Sequence, residues 1–152
     1  MITIAEEHPV QDDLILLHQR HTAAMHADTP PESIHMLPAD RLAAPGIRFF
    51  VMRDNGRAVG MGAIKQIDPT HAEVKSMHIL AEDRGRGLAQ AMVDHLIAVA
   101  RADGITRLSL ETGAQPSFIA ARRLYTSAGF TDCGPFQGYG PDPNSVFMTR
   151  TI

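Results

Sequence analysis

The sequence predicts an α/β (α+β) fold: a mixed, mostly antiparallel central sheet of six to seven strands with a central parallel pair, flanked by about four helices. Three observations carry that prediction. First, three apolar, β-branched runs, Ile47–Met52, Ala58–Ile67 and Val74–Leu80, follow one another with only short turns between them. Asp54-Asn55-Gly56 and Asp68-Pro69-Thr70-His71 are turn sequences, so the runs form an antiparallel meander. Second, Leu88, Met92, Leu96 and Val99 recur at spacings of four, four and three, which is one face of a helix. Gly104 stops that helix and Arg107–Glu111 is a short strand after it, so this strand–helix–strand unit places a parallel neighbour beside Val74–Leu80. Third, 152 residues with 44% hydrophobic content suit one core, read as a single domain over residues 1–152.

The remaining elements follow in order. Ile2–Ala5 alternates weakly and is a short first strand. A helix is expected from about Val10 to Ala27, with Leu14, Leu17 and Met25 on one side and His18, His21 and His26 on a polar face. The His-x-x-His spacing has no carboxylate or cysteine nearby to complete a ligand set, so no metal is expected. Residues 28–38, with Pro30-Pro31, form a long loop, and a helical turn follows at 39–43. Gly56, Gly60 and Gly62 precede no helix and are read as turn and strand packing. Ser117 is expected to cap a helix from Phe118 to Ala128, which Gly129 ends. A strand starts at Phe130, residues 137–144 form a second long loop, and Ser145–Ile152 is the last strand. Cys133 is alone, excludes an intrachain disulfide, and is read as packing rather than as a nucleophile, because no base adjoins it.

The chemistry concentrates at Glu82-Asp83-Arg84-Gly85-Arg86-Gly87. A helix start leaves amide N–H groups without partners and carries partial positive charge. Gly85 and Gly87 have no Cβ to keep a phosphate away from the backbone, and Arg84 and Arg86 add forked donors. The turn therefore suits a bulky anion, most plausibly a pyrophosphate. The run from Arg84 to Ala89, RGRGLA, resembles the Arg/Gln-x-x-Gly-x-Gly/Ala signature of the GCN5-related N-acetyltransferase (GNAT) superfamily. The preceding AEVKSMHILAEDRGRG resembles that family's fourth strand, and ARRLYTSAGF, residues 121–130, resembles its later A-x-x-L-Y-x-x-x-G-F helix and strand. The resemblance covers residues 47–152 well and the first 46 loosely.

The resemblance implies a GNAT fold and transfer of an acetyl group from acetyl-coenzyme A, the co-substrate, to a primary amine of a small molecule or peptide. It places the pyrophosphate on Arg84, Gly85, Arg86, Gly87, Leu88 and Ala89, and lays the pantetheine arm along the backbone of Met77, His78 and Ile79 beside a bulge. It makes Tyr125 the acid that protonates the leaving thiolate. Where the family often has an asparagine, this chain has Phe118, for which a stacking or shape role toward the cofactor is expected. An amine with pKa ~10.4 needs about 4–5 kcal/mol to lose its proton at pH 7, whereas an α-amine near ~8 needs about 1.4 kcal/mol. A lysine-like acceptor therefore wants a positioned base, while an α-amine needs only a water relay, so the base is expected to be a carboxylate or a water relay. Glu73, at a strand position where several family members carry a base, is the first candidate; Glu111, at the end of the neighbouring parallel strand, is the second. His78 is the third, but strict alternation puts it on the face opposite Glu73 unless a bulge intervenes. Glu32, His35, Tyr139, Asp142 and Asn144, on the two long loops, are expected to line the acceptor pocket.

A net charge of −3 argues against a nucleic-acid binder, and no apolar run reaches the ~20 residues that cross a bilayer. Met1–Val10 lacks a basic-then-apolar leader pattern, so a cytoplasmic protein is expected. A homodimer is compatible with the sequence, which does not fix the oligomeric state. Two other readings stand beside the main one. Gly85-x-Gly87 followed by Glu111 imitates a dinucleotide-binding oxidoreductase, but Gln90 replaces the third glycine and the strands before the turn form a meander. A non-catalytic acyl-coenzyme A sensor would keep the same turn without turnover.

Overall fold

A computed structural model describes all residues, 1–152. Seven strands form one sheet in the order β1-β2-β3-β4-β5-β7-β6. They are β1 (Ile2–Glu6), β2 (Ile47–Asp54), β3 (Arg57–Asp68), β4 (His71–Ile79), β5 (Arg107–Gly113), β6 (Thr131–Cys133) and β7 (Ser145–Thr151). Three α-helices accompany them, α1 (Ile15–Asp28), α2 (Leu88–Ala102) and α3 (Ile119–Ser127). The expected fourth helical piece, Ala39–Ala43, is a 3-10 turn. The meander β2-β3-β4 is antiparallel throughout, and β4-β5 is the one parallel pair.

Each face of the sheet carries its own apolar layer. Leu88, Met92, Leu96 and Ile97 of α2 and Tyr125 of α3 pack with Phe50, Val74 and Leu110 on one face. Leu14 and Leu17 pack with Phe49, Met61 and Leu80 on the other. The helical stripe is as expected except at its end, where Ala100 is buried in place of the half-buried Val99. Complete burial of Leu96 alone contributes about 1.5–3 kcal/mol.

Several local expectations are corrected. The first helix starts later than expected: Asp12–Leu14 is a 3-10 turn, and α1 runs from Ile15. Its histidines do not share a solvated face. His21 is buried against the sheet, and the His18 ring stacks on Phe49. Ser117 does not cap α3; Pro116–Phe118 form a 3-10 turn, and Phe118 stands at the N-cap without a side-chain bond. Proline at the start of that turn has no N–H to lose, which favours the tighter entry. Cys133 is only partly buried, on the short strand β6.

The decisive irregularity lies in β4. Its register against β3 slips between Met61↔His78 and Ala63↔Lys75, so Ser76 and Met77 together face Gly62. Two residues opposite one is a β-bulge, and Ser76 takes φ +55 to make it. The bulge resets the alternation. Glu73 and Lys75 precede it on the α1 face; after it His78 and Leu80 return to that same face, His78 against His21 and Leu80 against Leu14 and Leu17.

Candidate active site

The parallel pair β4-β5 holds for only three residue pairs, His71↔Arg107 to Glu73↔Ser109. Beyond Glu73 the strands diverge, while β5 continues to pair with β7 as far as Gly113. The β5-facing edge of β4, including Met77, His78 and Ile79, is left without a strand partner there. A cavity of about 130 Å³ opens in this cleft. Glu73 and Lys75 of β4, Glu111 of β5 and His35 of the first long loop line it, together with Tyr125 and Phe118 from the α3 side.

Below the cleft the chain turns into α2. Gly85 and Gly87 have φ +81 and +74, a left-handed region costly for residues with a Cβ. A Cβ at either would meet nothing within 4 Å, so both glycines face open space. No amide from Gly85 to Gln90 donates to a protein acceptor. This is a row of free donors at a helix start, as an anion site requires. The arginine side chains do not both hang over it. Arg86 donates to Asp83 at 3.0 Å and to Asp54 at 2.9 Å, and Arg84 Nε donates to the carbonyl of Ile79 at 3.2 Å. Asp83, buried under the turn, also accepts from Arg57 at 2.8 Å. That guanidinium holds the Asp83 carboxyl below its ordinary range. The turn is thus braced by arginine–carboxylate pairs while its amides stay open.

Glu73 is buried, with 1% of its surface exposed. Its Oε2 accepts from the Tyr139 hydroxyl at 2.7 Å and from Lys75 Nζ at 3.3 Å. Its Oε1 is buried with no partner. A buried carboxylate oxygen without a donor is costly and calls for a reason. Glu111 is held differently. His35 Nδ1 donates to both its oxygens at 2.8 and 2.9 Å, and Ser145 Oγ donates to Oε2 at 2.8 Å. Tyr125 is buried on α3 with its ring edge-on to Phe130. The chain reverses at Gly129, where the Phe130 amide donates to the Tyr125 carbonyl at 2.9 Å. The Tyr125 hydroxyl bonds to no protein group, and burial raises its pKa above the usual phenol value, so it stays a proton donor at neutral pH. Phe118 lies against Gly113 at the end of β5, where any side chain would collide with its ring.

The two long loops meet across this site. His35 and Tyr139 lie with ring centroids 5.0 Å apart, and Asn144 Nδ2 donates to Ser33 Oγ at 3.3 Å. Asn144 also accepts from Gln115 at 3.1 Å, and Asp142 accepts from its amide at 2.8 Å. Asn144 therefore ties the loops together, neither it, Asp142 nor Tyr139 lines the cavity, and Glu32 points to solvent away from it. His78 is buried with its ring centroid 5.4 Å from that of His21. Burial and nearby arginines lower its pKa to about 4, and burial beside His78 lowers that of His21 to about 4. Sequence reasoning passed over Lys75. The signal was its position two residues after Glu73 on one strand, hence on the same face.

The cleft of diverging parallel strands, the amide-lined turn below it, and a cavity lined by both a buried carboxylate and a phenol without a protein partner lie together in one region of the fold. The comparisons agree with that architecture. The sequence model of the Acetyltransferase (GNAT) family matches residues 14–130. The chain belongs to the GNAT acetyltransferase family. It is 43% identical over 139 residues to the uncharacterized N-acetyltransferase YsnE of Bacillus subtilis, covering 91% of this chain and 92% of that protein. It is 39% identical over 152 residues to the IAA acetyltransferase of Azospirillum brasilense, covering 99% and 98%. A solved Klebsiella pneumoniae structure, assigned to the acyl-CoA N-acyltransferases, superposes with a TM-score of 0.82 at 31% identity over 99% of this chain and 97% of that one. A GNAT family acetyltransferase from Elizabethkingia anophelis with acetyl-CoA bound shares the fold, with a TM-score of 0.70 at 17% identity over 99% of this chain and 98% of that one. This GNAT protein is thus an acyltransferase. No helix in it is long and apolar enough to cross a membrane.

Proposed function

We propose that the protein transfers the acetyl group of acetyl-coenzyme A to a primary amine of a small molecule or peptide by direct attack, with Glu73 as base and Tyr125 as acid. When bound, acetyl-coenzyme A supplies an activated thioester. The residues present fit it. The free amides of residues 85–90 suit its pyrophosphate, and the unpaired edge of β4 suits the amide groups of its pantetheine arm. The observation that carries the reading is the Glu73 oxygen Oε1, buried without a donor, on a residue that lines the same cavity as Tyr125. There it takes the proton as the amine nitrogen attacks the thioester carbonyl. The carbon–sulfur bond breaks, and the Tyr125 hydroxyl donates to the departing thiolate. Glu111, whose oxygens are held by His35 and Ser145, is suited to orienting the acceptor rather than to taking its proton.

The experiment is release of free thiol from acetyl-coenzyme A across a panel of primary amines, with IAA included because it appears in the name of the Azospirillum relative. Turnover with an amine that falls steeply in Glu73→Gln is the expected result. Turnover confined to non-amine acceptors would overturn the acceptor class.

A further inference from the structure

Lys75 shares a strand face with Glu73, and both side chains are almost wholly buried. A buried ammonium next to a buried carboxylate is expensive unless each proton and lone pair is used. Here all are used but the lone pairs of one carboxylate oxygen. Lys75 Nζ has three partners: Glu73 Oε2 at 3.3 Å, the Tyr139 hydroxyl at 3.1 Å and the His35 carbonyl at 3.3 Å. Three acceptors match the three protons of an ammonium, and a neutral amine could satisfy only two. The Tyr139 hydroxyl accepts from Lys75 and has a single proton, which it donates to Glu73 Oε2 at 2.7 Å. Oε2 therefore receives two hydrogen bonds and Oε1 none. The network leaves Oε1 as the open acceptor of this group, on a residue that lines the cavity.

We propose that Lys75 and Tyr139 are positioning residues for Glu73: by occupying Oε2 together they hold the carboxylate so that Oε1 is the oxygen left for the acceptor nitrogen. This inference rests on the reading of Glu73 as the base. It also accounts for the loops. Lys75 holds the 28–38 loop through the His35 carbonyl, and Tyr139 belongs to the 137–144 loop. Other ionisable groups surround Glu73. Lys65 stands opposite it on β3, Glu111 lies on β5, His71 precedes it on β4, and His21 of α1 lines the same cavity. Neither Lys65, Glu111, His71 nor His21 hydrogen-bonds to Glu73, so Lys75 is the cation in direct contact.

The test is the split between kcat and KM for acetyl transfer to the best amine of the panel, measured for wild type, Glu73→Gln, Lys75→Met, Lys75→Arg and Tyr139→Phe. Melting temperatures establish that each variant is folded. Glu73→Gln is expected to lower kcat by about 10²–10⁴-fold. Lys75→Met is expected to lower kcat by about tenfold or more with the KM for acetyl-coenzyme A unchanged, because the carboxylate loses a contact that fixes its position. Lys75→Arg is expected to restore kcat toward wild type, which loss of packing alone would not do. Tyr139→Phe lies in a loop, keeps the ring, and is expected to lower kcat in the same way by a smaller amount. Undiminished kcat in Glu73→Gln defeats the base assignment and this inference with it. A kcat lost in Glu73→Gln but unchanged in both Lys75→Met and Tyr139→Phe defeats this inference alone.

Discussion

The two ends of the cleft are built from different materials. The turn proposed for the cofactor is made of backbone: six consecutive amides, two left-handed glycines, and arginines that brace rather than reach. The end proposed for the acceptor is made of side chains from four separated stretches, with Glu73 and Lys75 on β4, His35 on one loop, Tyr139 on another and Glu111 on β5. Backbone chemistry depends on conformation, so it tolerates substitution wherever the conformation survives. Side-chain chemistry depends on identity, so each residue is irreplaceable in its own way. The two ends should therefore fail differently when altered.

The largest effect is expected at the acceptor end. Glu73→Gln should lower kcat by about 10²–10⁴-fold, the usual weight of a general base, with the KM for acetyl-coenzyme A little changed. Tyr125→Phe should come next, lowering kcat by about tenfold or more without altering cofactor affinity, because only the hydroxyl is removed. Steady-state kinetics with both substrates varied would check both. At the other end, Gly87→Ala meets no neighbouring atom but forces φ +74 on a residue with a Cβ. It should cost about 1–2 kcal/mol of stability and raise the KM for acetyl-coenzyme A while sparing kcat. A loss of kcat with unchanged KM in Gly87→Ala would erase the contrast between the two ends.

A smaller effect should appear in stability rather than in rate. His21 and His78 are buried, and their folded pKa values of about 4 lie below the ordinary value of 6.5. Between those limits the unfolded chain binds more protons than the folded one, so stability should fall as pH drops from 6.5 toward 4 and level off above 6.5. Denaturant midpoints across that range measure the slope, and His21→Leu should flatten it. The smallest effect is expected from Glu32→Ala, which should leave kinetics unchanged because Glu32 faces solvent outside the cavity.

The same contrast explains what could be read from the chain. The meander, the central helix and the parallel crossover are encoded locally, in alternation, turn residues and an i, i+4, i+8 stripe, and their positions agree with the fold observed. The glycine turn was legible for the same reason. The bulge is expected from the family resemblance alone and not from local residue preference, because a residue at positive φ such as Ser76 is held there by its neighbours. Without the bulge, alternation sends His78 away from the face of Glu73; with it, His78 returns to that face but packs on His21. Of Lys75 the sequence shows only the strand face it shares with Glu73, because its partners Tyr139 and His35 lie 64 and 40 positions away. His35 lines the cavity, while Tyr139, Glu32 and Asn144, equally suited by chemistry and loop position, stand outside its lining.

The claim on which the rest depends is that the free amides of residues 85–90 receive the pyrophosphate of the carrier. Titrating the 15N-labelled protein with coenzyme A and following its backbone amide resonances tests it directly. The largest shifts should fall on Gly85 to Gln90, with a second group at Met77 to Ile79 and little movement at Gly56 or Gly104. Saturable binding that leaves residues 85–90 unmoved and shifts another part of the molecule would contradict the account.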